Sequence, residues 1–142
     1  MPHLVILYTG NLEGHTDMTV LCRSLADTLL AVKDEAGQQV FPTGGVRVLA
    51  YPAAHHAVAD GLGDYGFAYL NLRMGRGRSA AVHAQAGQAL AAAARLHFEP
   101  LAALRPVGVT VQIDEGPEVF DAKYSTLHPL FANPPTQPAP KA

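Results

Sequence analysis

The chain has 142 residues, with Lys+Arg 10 against Asp+Glu 12 and a formal net charge of −2. That length suits one domain, and a composition 49% hydrophobic and 15% charged excludes a disordered chain and a strongly basic nucleic-acid binder. So few charges among so many apolar positions leave apolar surface to be hidden between subunits.

Residues 2–8 form a short, nearly continuous apolar run of the kind a buried strand needs. Met18, Leu21, Cys22, Leu25, Leu29 and Val32 follow at helical spacing behind Thr16 or Asp17, either of which can cap a helix. Residues 45–51 are rich in β-branched side chains and read as a strand. The same order then returns. Residues 65–72 read as a strand, and Ser79 caps a helix whose apolar face is Val82, Ala86, Ala89, Ala93 and Leu96. Val107, Val109, Val111 and Ile113 alternate with smaller or polar residues, the pattern of a half-buried strand.

Like elements in the two halves begin 62 or 63 residues apart, which points to a duplicated β-α-β unit over about 2–51 and 65–113. A crossover helix makes the two strands of each unit parallel. Two such units predict an α/β (α+β) domain over 1–132, a four-stranded sheet with both helices on one face. Its other face is left to pack on a neighbouring subunit. Residues 115–131 are expected to hold a short hairpin or an arm over a neighbour. Residues 133–142 contain Pro134, Pro135, Pro138 and Pro140 and are expected to be a disordered tail.

The compartment follows from what the residues do not offer. A single Cys22 makes no internal disulfide and lies on the apolar stripe of the first helix, where a cysteine behaves as a small hydrophobe. The first residues lack the basic region of a signal peptide, and the long uncharged stretch 79–94 is too polar for a membrane span. A cytoplasmic protein with no membrane or nucleic-acid partner is the expectation. The histidines show no metal-ligand spacing, His97 is assigned to helix packing, and no metal or other cofactor is expected.

Three constellations can carry chemistry. Removal of Met1 before a residue as small as Pro2 would expose a secondary amine, a general base once apolar or cationic surroundings lower its pKa. Gly75-Arg76-Gly77-Arg78-Ser79-Ala80 lies between a strand and a helix and fits a dinucleotide fingerprint only formally. What it does offer is a helix N-terminus beside Arg76 and Arg78, a place for a carboxylate or phosphate. Arg47, between Val46 and Val48 in a strand, either faces solvent or stands over a site.

Several of these residues are colinear with one family. Met1-Pro2-His3, Phe41-Pro42-x-x-Gly45-Val46-Arg47, Ala59-Asp60-Gly61, Asp64-Tyr65-x-Phe67 and Gly75-x-Gly77-Arg78-Ser79 together resemble the 5-carboxymethyl-2-hydroxymuconate isomerases. Gln85-Ala86-Gly87, His97-Phe98 and Leu127-His128-x-Leu130-Phe131 extend the likeness to most of the chain. The resemblance implies the tautomerase fold, a homotrimer and a cofactor-free proton shift in an unsaturated dicarboxylic or tricarboxylic acid from aromatic-compound breakdown. It makes Pro2 the catalytic base and Arg47 and Arg78 the binders of substrate carboxylates, with Arg76 a further candidate. The chain departs from the family at Leu49 and Arg76, in the loop 11–17, which has no arginine, and by about six residues inserted ahead of Phe41. A tautomerase acting on a phenylpyruvate-like or halogenated acid, or a non-catalytic anion-binding module of the same fold, are the alternatives.

Overall fold

The computed structural model describes residues 2–132, so the expected tail at 133–142 lies outside the described residues. Strand β1 (His3–Thr9) leads through a 3-10 turn to helix α1 (Met18–Leu30) and strand β2 (Arg47–Ala53). Strand β3 (Gly66–Met74), helix α2 (Ala80–Ala102) and strand β4 (Val107–Glu115) repeat the order, and a short helix α3 (His128–Ala132) follows. The β-strands of the first and second unit start 63 and 60 residues apart, the helices 62, as a duplication requires.

The sheet order is β2-β1-β3-β4. Each unit pairs its strands in parallel, and β1 joins β3 antiparallel. Side chains alternate along β1: Leu4, Ile6 and Tyr8 are buried while His3 and Leu7 are exposed. Leu4, Ile6, Leu70 and Leu72 share one core with Leu21, Leu25, Leu29, Ala86, Leu90 and Phe98, so both helices cover the same face. The opposite face carries Val5, Leu7, Leu49, Tyr51, Phe67 and Tyr69, none of them fully buried.

Local chemistry explains the helix starts. Asp17 accepts from the backbone N–H groups of Thr19 and Val20, and Ser79 accepts from Val82, in each case satisfying donors that a first turn leaves unpaired. The α1 stripe is as read, except that the helix ends at Leu30 and Val32 is buried from the loop beyond. The inserted residues form a tight turn: Asp34 accepts from Ala36 and Gln38, Gly37 adopts positive φ, and a Lys33–Gln39 bridge closes it.

Two expectations need correction. The buried row of α2 is Val82, Ala86, Leu90, Ala94, Phe98 and Leu101, while Leu96 is 74% exposed. Steps of four form a ridge inclined to the helix axis, and it carries the buried positions away from Leu96. His97 keeps the packing role expected of it and adds a polar tie. Its Nε2 lies 2.7 Å from the Thr16 hydroxyl, and its ring meets Phe98 edge-on. Nor does a hairpin form after β4; residues 116–127 run as a strap without regular structure until α3. Among the described residues no helix is long and apolar enough to cross a membrane.

The revised stripe is open to a direct comparison by chemical denaturation. Leu90→Ala should cost about 2–5 kcal/mol through lost burial and a cavity, whereas Leu96→Ala should change stability by less than about 0.5 kcal/mol. Equal effects would return Leu96 to the core.

Candidate active site at the amino-terminal end of the sheet

The strand directions bring separate stretches of sequence to one end. β1 and β2 begin there, β3 ends there, and α2 begins there. Pro2 is buried and stands one residue before His3, whose sheet partners are Arg47 on one side and Arg73 on the other. Directly paired residues share a face, so Arg47, His3 and Arg73 form a row on the face away from the helices. With neighbouring strands about 4.8 Å apart, the two arginine backbones lie about 10 Å from each other.

Each arginine is held differently. Nη1 of Arg47 donates to the Gly45 carbonyl at 3.0 Å, and the half-buried side chain lines a cavity of about 640 Å3 with Thr43, Val46, Leu49 and Phe131. Nη1 of Arg78 donates to the Gly75 carbonyl at 3.2 Å. Its guanidinium lies 4.9 Å from the centre of the Phe41 ring, which is fully buried, so cation–π attraction fixes the charge. Gly77 has φ +108°, a conformation other residues rarely adopt, and lets the chain turn from β3 so that Arg78 precedes the Ser79 cap. Arg76 is in the same loop and exposed.

Helix α2 adds its N-terminal partial positive charge to these guanidiniums. His3 registers the field. Burial against the sheet and then the charges of Arg47 and Arg73 hold its pKa below the ordinary value, with Asp121 acting the other way. His3 keeps an exposed edge, so the charges are the part of this shift particular to the site.

The strap after β4 crosses the same end. Gly116 donates to the Met74 carbonyl, Glu118 Oε1 lies 3.8 Å from Arg73 Nη2, and α3 then meets the turn before β2. Gly44 permits that last contact, because a Cβ there would come within 2.9 Å of the His128 backbone. Glu115 Oε1 is 2.9 Å from His83 Nε2, off the line of a hydrogen bond.

Pro2, Arg47, Arg78 and Arg76 thus all belong to one end of the sheet. Sequence reasoning counts Arg73 with Arg76, Arg78 and Arg95 in a stretch free of acidic residues but gives it no role of its own, although its place in a strand otherwise buried on alternate positions was a signal. A cleft of about 820 Å3 at the other end, lined by Tyr8, Glu13, His15, Asp17, Cys22 and Pro52 among others, contains none of these residues. Burial and a 2.6 Å bond to Glu13 push its Tyr8 hydroxyl up to about 12, and burial raises its Cys22 thiol. Among the described residues no group of three or more His, Cys, Asp or Glu could hold a metal ion.

Comparison with known proteins gives the family. The model of the family described as 5-carboxymethyl-2-hydroxymuconate isomerase matches residues 2–131. The chain belongs to that family of isomerases. It is 28% identical over 131 residues to the 5-carboxymethyl-2-hydroxymuconate Delta-isomerase of Escherichia coli, covering 92% of this chain and 99% of that one. A crystal structure of a 5-carboxymethyl-2-hydroxymuconate delta-isomerase is 59% identical with a TM-score of 0.91, covering 96% of each chain. The isomerase structure from Deinococcus radiodurans R1 is 33% identical with a TM-score of 0.80, covering 90% of this chain and 92% of that one. A fused 4-OT solved as a symmetric trimer, 23% identical with a TM-score of 0.61 over 93% of this chain and 99% of its own, shares the fold.

In this isomerase fold the His3 imidazole is a probe of the cationic row. Nuclear magnetic resonance titration should place its pKa below 6.5, and Arg47→Ala should move it upward by removing a positive neighbour. An unchanged value would separate Arg47 from His3.

Proposed function

We propose that the chain is a cofactor-independent isomerase that moves a proton within a 2-hydroxymuconate-type dicarboxylic or tricarboxylic acid, with the nitrogen of Pro2 as the base. The observation that carries this reading is the burial of Pro2 at the sheet end where Arg47 and the Arg78 loop also lie. Once Met1 is removed, the proline nitrogen is a secondary amine. Burial and nearby guanidiniums both disfavour its protonated form, as they do for the imidazolium of His3, and so bring its pKa towards neutrality.

The dienol hydroxyl gives its proton to that nitrogen, and the O–H electron pair remains as a dienolate. The prolinium then returns the proton to carbon, forming a C–H bond and a conjugated ketone. Between these steps the negative charge is shared by the dienolate oxygen and, through the conjugated double bonds, the carbon that takes the proton. Arg47 and Arg78, pre-positioned by backbone carbonyls and by Phe41, hold the carboxylates and offset that charge without having to reorganise. Arg76 reaches the same loop as a further anion contact. This reading places the chain in the cytoplasm, in the breakdown of aromatic compounds.

A homotrimer belongs to the proposal. The sheet face without helices exposes Leu7 at 49%, Leu49 at 48% and Tyr51 at 51%, a contiguous apolar surface that a second copy would bury. The trimeric fused 4-OT, which shares the fold, supports that arrangement. Native mass spectrometry reads both points at once: three chains, each lacking Met1. A monomer, or a retained Met1 with full activity, would remove the shared interface or the amino-terminal base respectively. A retained Met1 with no activity would favour the anion-binding module.

Steady-state kinetics on a 2-hydroxymuconate acid tests the arginines. Losing one charged hydrogen bond should cost about 1.5–3 kcal/mol, roughly 10–150-fold in kcat/KM. Arg78→Ala should act chiefly on KM, because the α2 N-terminus shares its anion, whereas Arg47→Ala should also lower kcat. Arg95→Ala, well along α2 from this end, is the control. Folded Arg47 and Arg78 variants with wild-type kinetics would refute the assignment.

A further inference from the structure

We propose that Arg73 is a specificity-determining residue, a separate subsite for an additional carboxylate of the substrate, kept by Glu118 until that carboxylate arrives. The inference rests on the proposed function and deepens it. Arg73 lies at the Pro2 end of the helix-free face with Arg47, on the opposite side of His3, so the two arginines flank the strand that follows Pro2. A substrate lying across β1 can present one carboxylate to each.

What sets Arg73 apart is how loosely it is held. Arg47 and Arg78 each donate to a backbone carbonyl, a partner that does not leave. Arg73 has Glu118 at 3.8 Å, beyond hydrogen-bond length, with the two side chains 55% and 38% exposed. Asp114, its register partner on β4, is engaged by the Asn71 amide at 2.7 Å instead. Gly116 leaves room for the guanidinium, since a Cβ there would stand 2.9 Å from Arg73 Nε. Glu118 is therefore a surrogate carboxylate on a strap that carries no regular structure, and an exposed pair of this kind is weak. A substrate carboxylate in bidentate contact is the stronger partner and displaces it.

The chemical consequence is discrimination between acids. Muconate itself supplies two carboxylates, which Arg47 and Arg78 take; a carboxymethyl branch supplies a third, and Arg73, across β1 from Arg47 and held only by Glu118, is the cation placed for it. The ratio of kcat/KM for 5-carboxymethyl-2-hydroxymuconate over 2-hydroxymuconate reads this directly. In Arg73→Gln that ratio should fall about 10–100-fold, Arg73→Lys should recover part of it, and Glu118→Gln should raise it about two- to five-fold. A ratio that stays at the wild-type value in Arg73→Gln, whatever happens to the individual rates, makes the Arg73–Glu118 pair a structural clamp and overturns the proposal.

Calorimetry with unreactive acids separates this from the reaction itself. Wild type should bind propane-1,2,3-tricarboxylate about ten-fold or more tightly than glutarate, and Arg73→Gln should abolish that preference. Preference that depends on Arg73 without turnover of either muconate would sink the proposed function and leave the subsite standing. Equal binding of the two acids by wild type would sink the subsite, with turnover or without it.

Discussion

The antiparallel hydrogen bonding of β1 to β3 joins the two β-α-β units head to tail and decides which loops share an end. Because β3 runs against β1, its last residues lie beside the first residues of β1, and the loop that follows delivers Arg76, Arg78 and the start of α2 to Pro2. Had the two strands run parallel, Pro2 would neighbour the beginning of β3 and the carboxyl end of α2. A helix presents about half a positive charge at its start and half a negative charge at its end. One choice of strand direction therefore puts the positive end of α2, and not its negative end, on the side of the buried proline. The proposed proline base, which must stay unprotonated, and the proposed anionic intermediate are both favoured by that end of the helix.

Elements whose signal is local were legible in the sequence. The caps at Asp17 and Ser79, the apolar run of β1 and the alternation of β4 each express a short-range rule, and the equal offset between halves revealed the duplication. Helix α2 was misread on its stripe because alanines surround it. With Ala84, Ala89, Ala91, Ala92 and Ala93 in nearly every direction, the row ending at Leu96 and the row ending at Phe98 are equally regular. Only the sheet beneath selects between them. The hydrogen bond of His97 was hidden for a related reason, since its partner Thr16 is 81 residues away and belongs to the other unit.

The site was legible in part. Pro2, Arg47 and Arg78 were singled out from chain position, strand context and resemblance, and the fold assembles them at one end. Arg73 was hidden because its meaning depends on register. Nothing in the run Leu70–Met74 tells that Arg73 faces His3, which in turn faces Arg47. The strap was equally opaque. Its course across the sheet end is fixed by few contacts, chiefly the Gly116 N–H to Met74, the Glu118 pairing and the seat of His128 over Gly44, and none has a sequence signature.

Collecting Arg47, Arg73, Arg76 and Arg78 at one end of a small domain sets like charges against one another, and the strap brings carboxylates back to the same place. Glu118 stands near Arg73, and Asp121 is close enough to His3 to oppose the arginines acting on it. The strength of these contacts matters more than their number. An exposed ion pair contributes about 0–1 kcal/mol, enough to soften repulsion in the empty protein. A well-formed hydrogen bond to a charged group contributes about 1.5–3 kcal/mol, so an incoming carboxylate wins the exchange. Were Glu118 buried and hydrogen-bonded to Arg73, the order would reverse and the end would be neutralised permanently. The exposure of the strap is thus a condition for an anion site that is tolerated when empty and available when a ligand arrives.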